Sequence, residues 1–105
     1  MKFRNATDIS NGLKAGEDLV ILDIREDYEL EICKIESLHI PMAEVVDRIQ
    51  ELPVNKKIVI LCRSGQRAEA LGNILETDLN MNSICILEGG IMAWRDAVNP
   101  ELEAY

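Results

Sequence analysis

Aromatic residues are scarce in this 105-residue chain: one Trp, one Phe and two Tyr, 4% of the whole. A core must therefore rest on Ile, Leu, Val and Ala. Apolar residues make up 48%, enough for a core without disulfides or metal. Positive charge is also scarce: 11 Lys and Arg stand against 19 Asp and Glu, a net charge of −8. That balance argues against nucleic acid and against anionic membrane surfaces as partners. No stretch approaches the roughly 20 apolar residues of a membrane span. The opening Met1-Lys2-Phe3-Arg4-Asn5 lacks the apolar run of a secretory signal. Histidine occurs once, at His39. The cysteines, Cys33, Cys62 and Cys85, are odd in number and none lies in a C-x-x-C or Cys/His cluster, so neither a disulfide framework nor a metal site is expected. Free thiols point to a reducing, cytoplasmic compartment.

What is present is an alternation. The length suits one domain over residues 1–105, and no repeat or linker interrupts it. Thr7-Asp8-Ile9 opens a short helix that Gly16 stops. Leu19-Val20-Ile21-Leu22-Asp23-Ile24 is a continuous apolar run, as in a strand covered on both faces. Residues 26–32 predict a short acidic helix, and Leu38-His39-Ile40 a brief strand ended by Pro41. Residues 42–52 predict a helix with Val45, Ile49 and Leu52 on one face, closed by Pro53. A strand over 57–61 precedes a helix over about 67–78, whose buried side carries Ala68, Leu71, Leu75 and Leu79. Residues 83–87 form the last strand, Gly89-Gly90 a turn, 91–98 a final helix, and 99–105 a polar tail. Strands alternating with helices imply right-handed βαβ units: an α/β domain with a parallel sheet between helix layers. Ligand sites of such sheets lie at the carboxyl ends of the strands.

Cys62-Arg63-Ser64-Gly65-Gln66-Arg67 occupies that place. It links the apolar run ending at Leu61 to the helix beginning near Ala68. The first N–H groups of a helix lack internal partners, and the helix dipole is positive there. Such a loop binds anions and favours a thiolate, the nucleophilic form of cysteine. Gly65 lets the backbone curl with its N–H groups inward, and Arg63 and Arg67 add positive charge. Cysteine nucleophiles are commonly paired with a histidine base. His39, in a strand before Pro41, is a poorly placed candidate and reads more simply as a buried or rim residue. A thiolate without a base suits a donor whose leaving group departs unprotonated. Transfer of a sulfane sulfur is such a reaction, and the resulting persulfide anion would be held by the same N–H donors.

With these residues in place, the loop resembles the six-residue active loop of rhodanese-type sulfurtransferases. Leu22-Asp23-Ile24-Arg25 followed by Glu29 resembles that family's Asp-x-Arg…Glu signature. Ile40-Pro41 resembles its strand-ending Ile-Pro, and Leu87-Glu88-Gly89-Gly90-Ile91…Trp94 its Gly-Gly…Trp motif. The motifs span about residues 7–98 in one order. The resemblance implies a three-layer fold with a five-stranded parallel sheet and helices on both faces. It implies Cys62 as the catalytic residue, carrying a covalent persulfide with no separate cofactor, and Arg63, Ser64, Gly65, Gln66 and Arg67 as the substrate-binding loop. Asp23 and Arg25 are expected to support it structurally. A small-molecule donor such as thiosulfate or a persulfide would supply the sulfur.

Two departures from the family pattern fall in one turn. Cys33-Lys34-Ile35 stands where many members have Gly-His-Ile, and the segment after it is one residue short. Glu31-Ile32-Cys33 and the tail Asn99-Pro100…Tyr105 resemble one subgroup, the C-terminal rhodanese domain of adenylyltransferase/sulfurtransferases. Those domains pass sulfur to ubiquitin-like carrier proteins, so such a carrier is an expected partner, and the chain is a stand-alone relative or a piece of a longer one. A non-catalytic binding module of the same fold is the competing reading. Phosphatases and oxyanion reductases of this fold have five residues between cysteine and arginine. Here four separate Cys62 from Arg67. Arg67 is expected to contact an anion. Cys85 and Trp94 are expected in the core, Cys33 under a turn, and Glu26, Asp27, Glu29 and Glu31 on a solvated helix face.

Overall fold

The computed structural model describes residues 2–105. Five strands form one parallel sheet: β1 (Lys2–Arg4), β2 (Leu19–Asp23), β3 (Leu38–His39), β4 (Lys57–Leu61) and β5 (Ile84–Leu87), in the order β1-β5-β4-β2-β3. The helices are α1 (Ala6–Lys14), α2 (Asp27–Ile32), α3 (Gln66–Thr77) and α4 (Gly90–Ala97). β4, in the middle, and β5 beside it are buried along almost their whole length, which is why they read as unbroken apolar runs.

Two apolar clusters cover the two sheet faces. One joins Leu22, Ile58, Ile60 and Ile86 to Ala68, Leu71 and Leu75 of α3. The other joins Ile21, Val59, Leu61 and Leu87 to Ile9 of α1 and Ile91 and Trp94 of α4. Alternate residues of one strand thus feed opposite layers. The expected three-layer α/β fold with a five-stranded parallel sheet is the observed one.

Several local expectations need correction. β1 is a strand of only three residues, Lys-Phe-Arg, and the sequence offers no apolar run there. It exists because its backbone pairs with β5, Phe3 opposite Ile86. The helix expected over 42–52 is two 3₁₀ turns, Met42–Glu44 and Val46–Glu51, with non-helical backbone at Arg48. Val45 and Leu52 are still buried, so the apolar spacing marked a packed face, but not an α-helix. Leu79 lies beyond the end of α3 and is exposed. The segment 99–105 is more than a polar tail: Leu102 and Tyr105 pack back onto the α1/α4 cluster.

Candidate active site

Cys62 follows β4 directly, at the carboxyl edge of the sheet, and is 1% exposed. Arg63, Ser64 and Gln66 around it are exposed, so the sulfur lies on the floor of a small cup. Its Sγ accepts the N–H of Gly65 at 3.1 Å and of Ala68 at 3.4 Å. No acceptor among the described residues takes up the N–H groups of Ser64, Gln66 or Arg67. Gly65 caps α3 with φ of +105°, a conformation open to glycine and strained for any other residue.

A second helix end fixes the outside of the cup. Ile91 N–H donates to the Cys62 carbonyl at 2.9 Å, and Met92 N–H to the Arg63 carbonyl at 3.3 Å. Gly65 carbonyl is taken by Glu69 N–H at 2.9 Å, and Leu61 carbonyl by Ile24 N–H at 3.0 Å. A trans peptide points its N–H opposite to its C=O. Tying these carbonyls outward therefore turns the N–H groups that follow them away from those ties. Gly90 makes the contact possible: a Cβ there would stand 2.3 Å from the Arg63 carbonyl oxygen. Gly89-Gly90 was legible as a turn, but its part in backing the loop was not, because it depends on a contact between segments far apart in sequence.

The charged residues form one chain behind the loop. Asp23 and Arg25 are both fully buried. Arg25 Nη2 donates to Asp23 Oδ2 at 2.8 Å and to the Cys33 carbonyl at 2.9 Å, and Arg25 Nε to Asp23 Oδ1 at 3.0 Å. Glu29 is also buried, contrary to a solvated acidic face. Arg67 meets it with two parallel bonds of 2.7 and 2.9 Å, so this guanidinium is committed to a carboxylate inside the protein. The Tyr105 hydroxyl joins the two pairs: it accepts from Arg25 Nη1 at 3.0 Å and donates to Glu29 Oε2 at 2.6 Å. Arg67, and secondarily Tyr105, hold the Glu29 carboxyl down at about 2 despite its burial. Burial, reinforced by Glu29 and opposed by Arg25, pushes the Tyr105 phenol up to about 12, so it stays a donor at neutral pH. Tyr105 is the site-side residue that sequence reading missed; only its place in a family-like tail hinted at it.

The remaining candidates lie elsewhere. His39 Nε2 is 2.8 Å from the Arg25 carbonyl, and Nδ1 is 3.9 Å from Asp27. It sits on β3, with β2 between it and β4, about 10 Å from the strand that Cys62 follows. Cys33 is buried after α2, where its carbonyl serves Arg25. Cys85 is buried within β5, and burial pushes its thiol up. Trp94 is buried. A cleft of about 440 Å³ lined by Lys2, Arg4, Glu17 and Lys57 lies at the opposite, amino edge of the sheet. Among the described residues no group of three or more His, Cys, Asp or Glu could hold a metal ion, and no helix is long and apolar enough to cross a membrane.

The chain and its fold are similar to known proteins. The Rhodanese-like domain family model matches residues 5–97. A sulfurtransferase of Allochromatium vinosum is 32% identical over 92 residues, covering 86% of this chain and 84% of that protein. The adenylyltransferase and sulfurtransferase MOCS3 of Drosophila virilis is 31% identical over 113 residues, covering 96% of this chain; the chain spans 24% of that protein. The crystal structure of a rhodanese-related protein from Thermoplasma volcanium superposes with a TM-score of 0.82 at 32% identity, covering 95% of this chain and 96% of that one. Sulfur transfer is thus the activity for which these curated relatives are named. With its sheet, its cysteine loop and these matches in agreement, the chain belongs to the rhodanese-like domain family.

Proposed function

We propose that the protein moves a sulfane sulfur from thiosulfate, or from a persulfide donor, to a thiophilic acceptor through a persulfide on Cys62. The observation that carries this reading is the pair of N–H bonds on Sγ, with further loop donors left open around it. They stabilise negative charge on sulfur without a base, and His39 is not placed to act as one.

The Cys62 thiolate attacks the outer sulfur of thiosulfate. The new S–S bond forms as the bond to the sulfonate sulfur breaks, and sulfite leaves with the electron pair. The terminal sulfur of Cys62–S–S⁻ then carries the negative charge and falls within reach of the open N–H groups. These donors hold the charge before, during and after transfer, so the barrier falls without any rearrangement of the loop. An acceptor nucleophile next attacks the terminal sulfur. The Cys62–sulfur bond breaks, the thiolate returns, and no resident cofactor is consumed.

Arg67, held by Glu29, serves through its backbone N–H and through the fixed start of α3, while Arg63 is the loop cation on the exposed rim. The physiological acceptor is read as a ubiquitin-like sulfur-carrier protein, a reading supported by the similarity to an adenylyltransferase and sulfurtransferase. The test is transfer from thiosulfate to cyanide by the parent and by Cys62→Ala. Turnover in the parent and none in the variant, with an unchanged melting profile, supports the proposal. Equal turnover in both would sink it, and hydrolysis of phosphate esters in place of sulfur transfer would favour a phosphatase.

A further inference from the structure

The tail reaches the loop at one residue. Its root is fixed: Asn99 N–H donates to the Trp94 carbonyl at 3.1 Å, Arg95 Nε donates to the Leu102 carbonyl at 2.7 Å, and Leu102 packs on the α1/α4 cluster. From there the chain returns to the loop. The Tyr105 hydroxyl is anchored between Arg25 and Glu29. The Arg63 guanidinium lies over the Tyr105 ring, 5.1 Å from its centroid, and its Nη2 donates to the Tyr105 carbonyl.

The three arginines near the site differ in availability. Arg25 is wholly buried on Asp23, and Arg67 is doubly bonded to a buried carboxylate. Arg63 alone is exposed, and what occupies it is the main-chain oxygen and the ring face of Tyr105. At an exposed site a guanidinium gains little from either contact, so a sulfonate or persulfide anion that accepts its paired N–H groups can displace them. We propose that Tyr105 sets the affinity of the loop for anionic sulfur donors, by holding Arg63 on the tail until the donor displaces it. This rests on the sulfurtransferase reading above. The high phenol pKa, about 12, keeps the anchor protonated and the hold constant across the neutral range.

The test is single-turnover loading of sulfur onto Cys62 against thiosulfate concentration, read by mass spectrometry. It compares the parent, Tyr105→Ala, Arg63→Ala and the double variant. Freeing Arg63 should lower the half-saturating thiosulfate concentration in Tyr105→Ala by roughly three- to tenfold. In the Arg63→Ala background the same tyrosine substitution should give no such gain, because the competing contact is already gone. A merely structural tail would instead raise the half-saturating concentration when Tyr105 is removed. An unchanged or raised value in Tyr105→Ala, or an equal gain without Arg63, overturns the proposal. If the parent takes up no sulfur at any concentration, the sulfurtransferase reading itself fails and takes this proposal with it.

Discussion

Cys85 sits on β5 and Cys62 directly after the neighbouring β4, 4% and 1% exposed, and their surroundings divide them. Cys85 lies inside β5, opposite Val59 of β4, with its backbone committed to the ladder. Nothing stabilises negative charge on it enough to offset burial, and its thiol is pushed up. Cys62 lies three residues beyond Val59, where the ladder stops and two helix N-termini converge. One supplies N–H groups to the sulfur, and the other holds the loop carbonyls away from it. Burial alone therefore says little about a cysteine. What matters is whether the surrounding N–H groups are already spent on other strands or remain free to face the sulfur.

The strongest way to break that contrast is to move the loop. Gly90→Ala puts a Cβ where the Arg63 carbonyl oxygen now lies, and neither partner can yield as a flexible side chain would. Sulfur loading of Cys62 should fall by at least about tenfold, and stability by roughly 1–3 kcal/mol, as for overpacking at other tight sites. Parent-like loading in this variant, followed by mass spectrometry, would show that α4 does not hold the loop.

Asp23→Ala comes next and acts on stability. It leaves the fully buried Arg25 without its carboxylate, a loss of about 3–5 kcal/mol that urea unfolding would register. A loss below about 1 kcal/mol would mean that the pair is not the buried anchor described above.

Glu29→Gln tests the outer half of the charged chain, and pH sharpens it. The Glu29 carboxyl is depressed from 4.5 to about 2 in the folded protein. Its contribution is therefore fully present above the unfolded value and is lost as pH falls through the folded one. The parent should be more stable than the variant by on the order of 2 kcal/mol above about pH 5, with the gap closing toward pH 2. A gap independent of pH would remove the charge from the explanation.

Cys85→Ala should do least. It removes one buried sulfur, at a cost of about 1 kcal/mol in a melt, and should leave alkylation and sulfur loading of Cys62 as in the parent. Altered loading would tie the two cysteines together and undo the comparison.

The position of the Cys62 loop, between a strand and a helix, was the most legible part of the sequence, because six contiguous residues between an apolar run and a helical pattern carry it. β2, β4 and β5 were legible for the same reason: a strand covered on both faces writes itself as consecutive apolar residues. β1 was not, since three residues with two charges are held by pairing with β5 and by no pattern of their own. The 42–52 segment carried helical spacing but folds as two 3₁₀ turns, because burying Val45 and Leu52 needs their side chains on one side and does not need α geometry. Glu29 looked like one acid among several on a surface helix. Its partners, Arg67 and Tyr105, are 38 and 76 residues away, beyond what any local pattern records.

The most direct measurement is the mass of the intact protein, and then of its peptides, after incubation with thiosulfate and removal of excess donor. The peptide containing Cys62 should gain a single sulfur atom, cyanide should strip it off again, and the peptides with Cys33 and Cys85 should be unchanged. An unmodified protein, or sulfur found on Cys33 or Cys85 instead, would contradict the claim that the main-chain cup around Cys62 is built to carry sulfur.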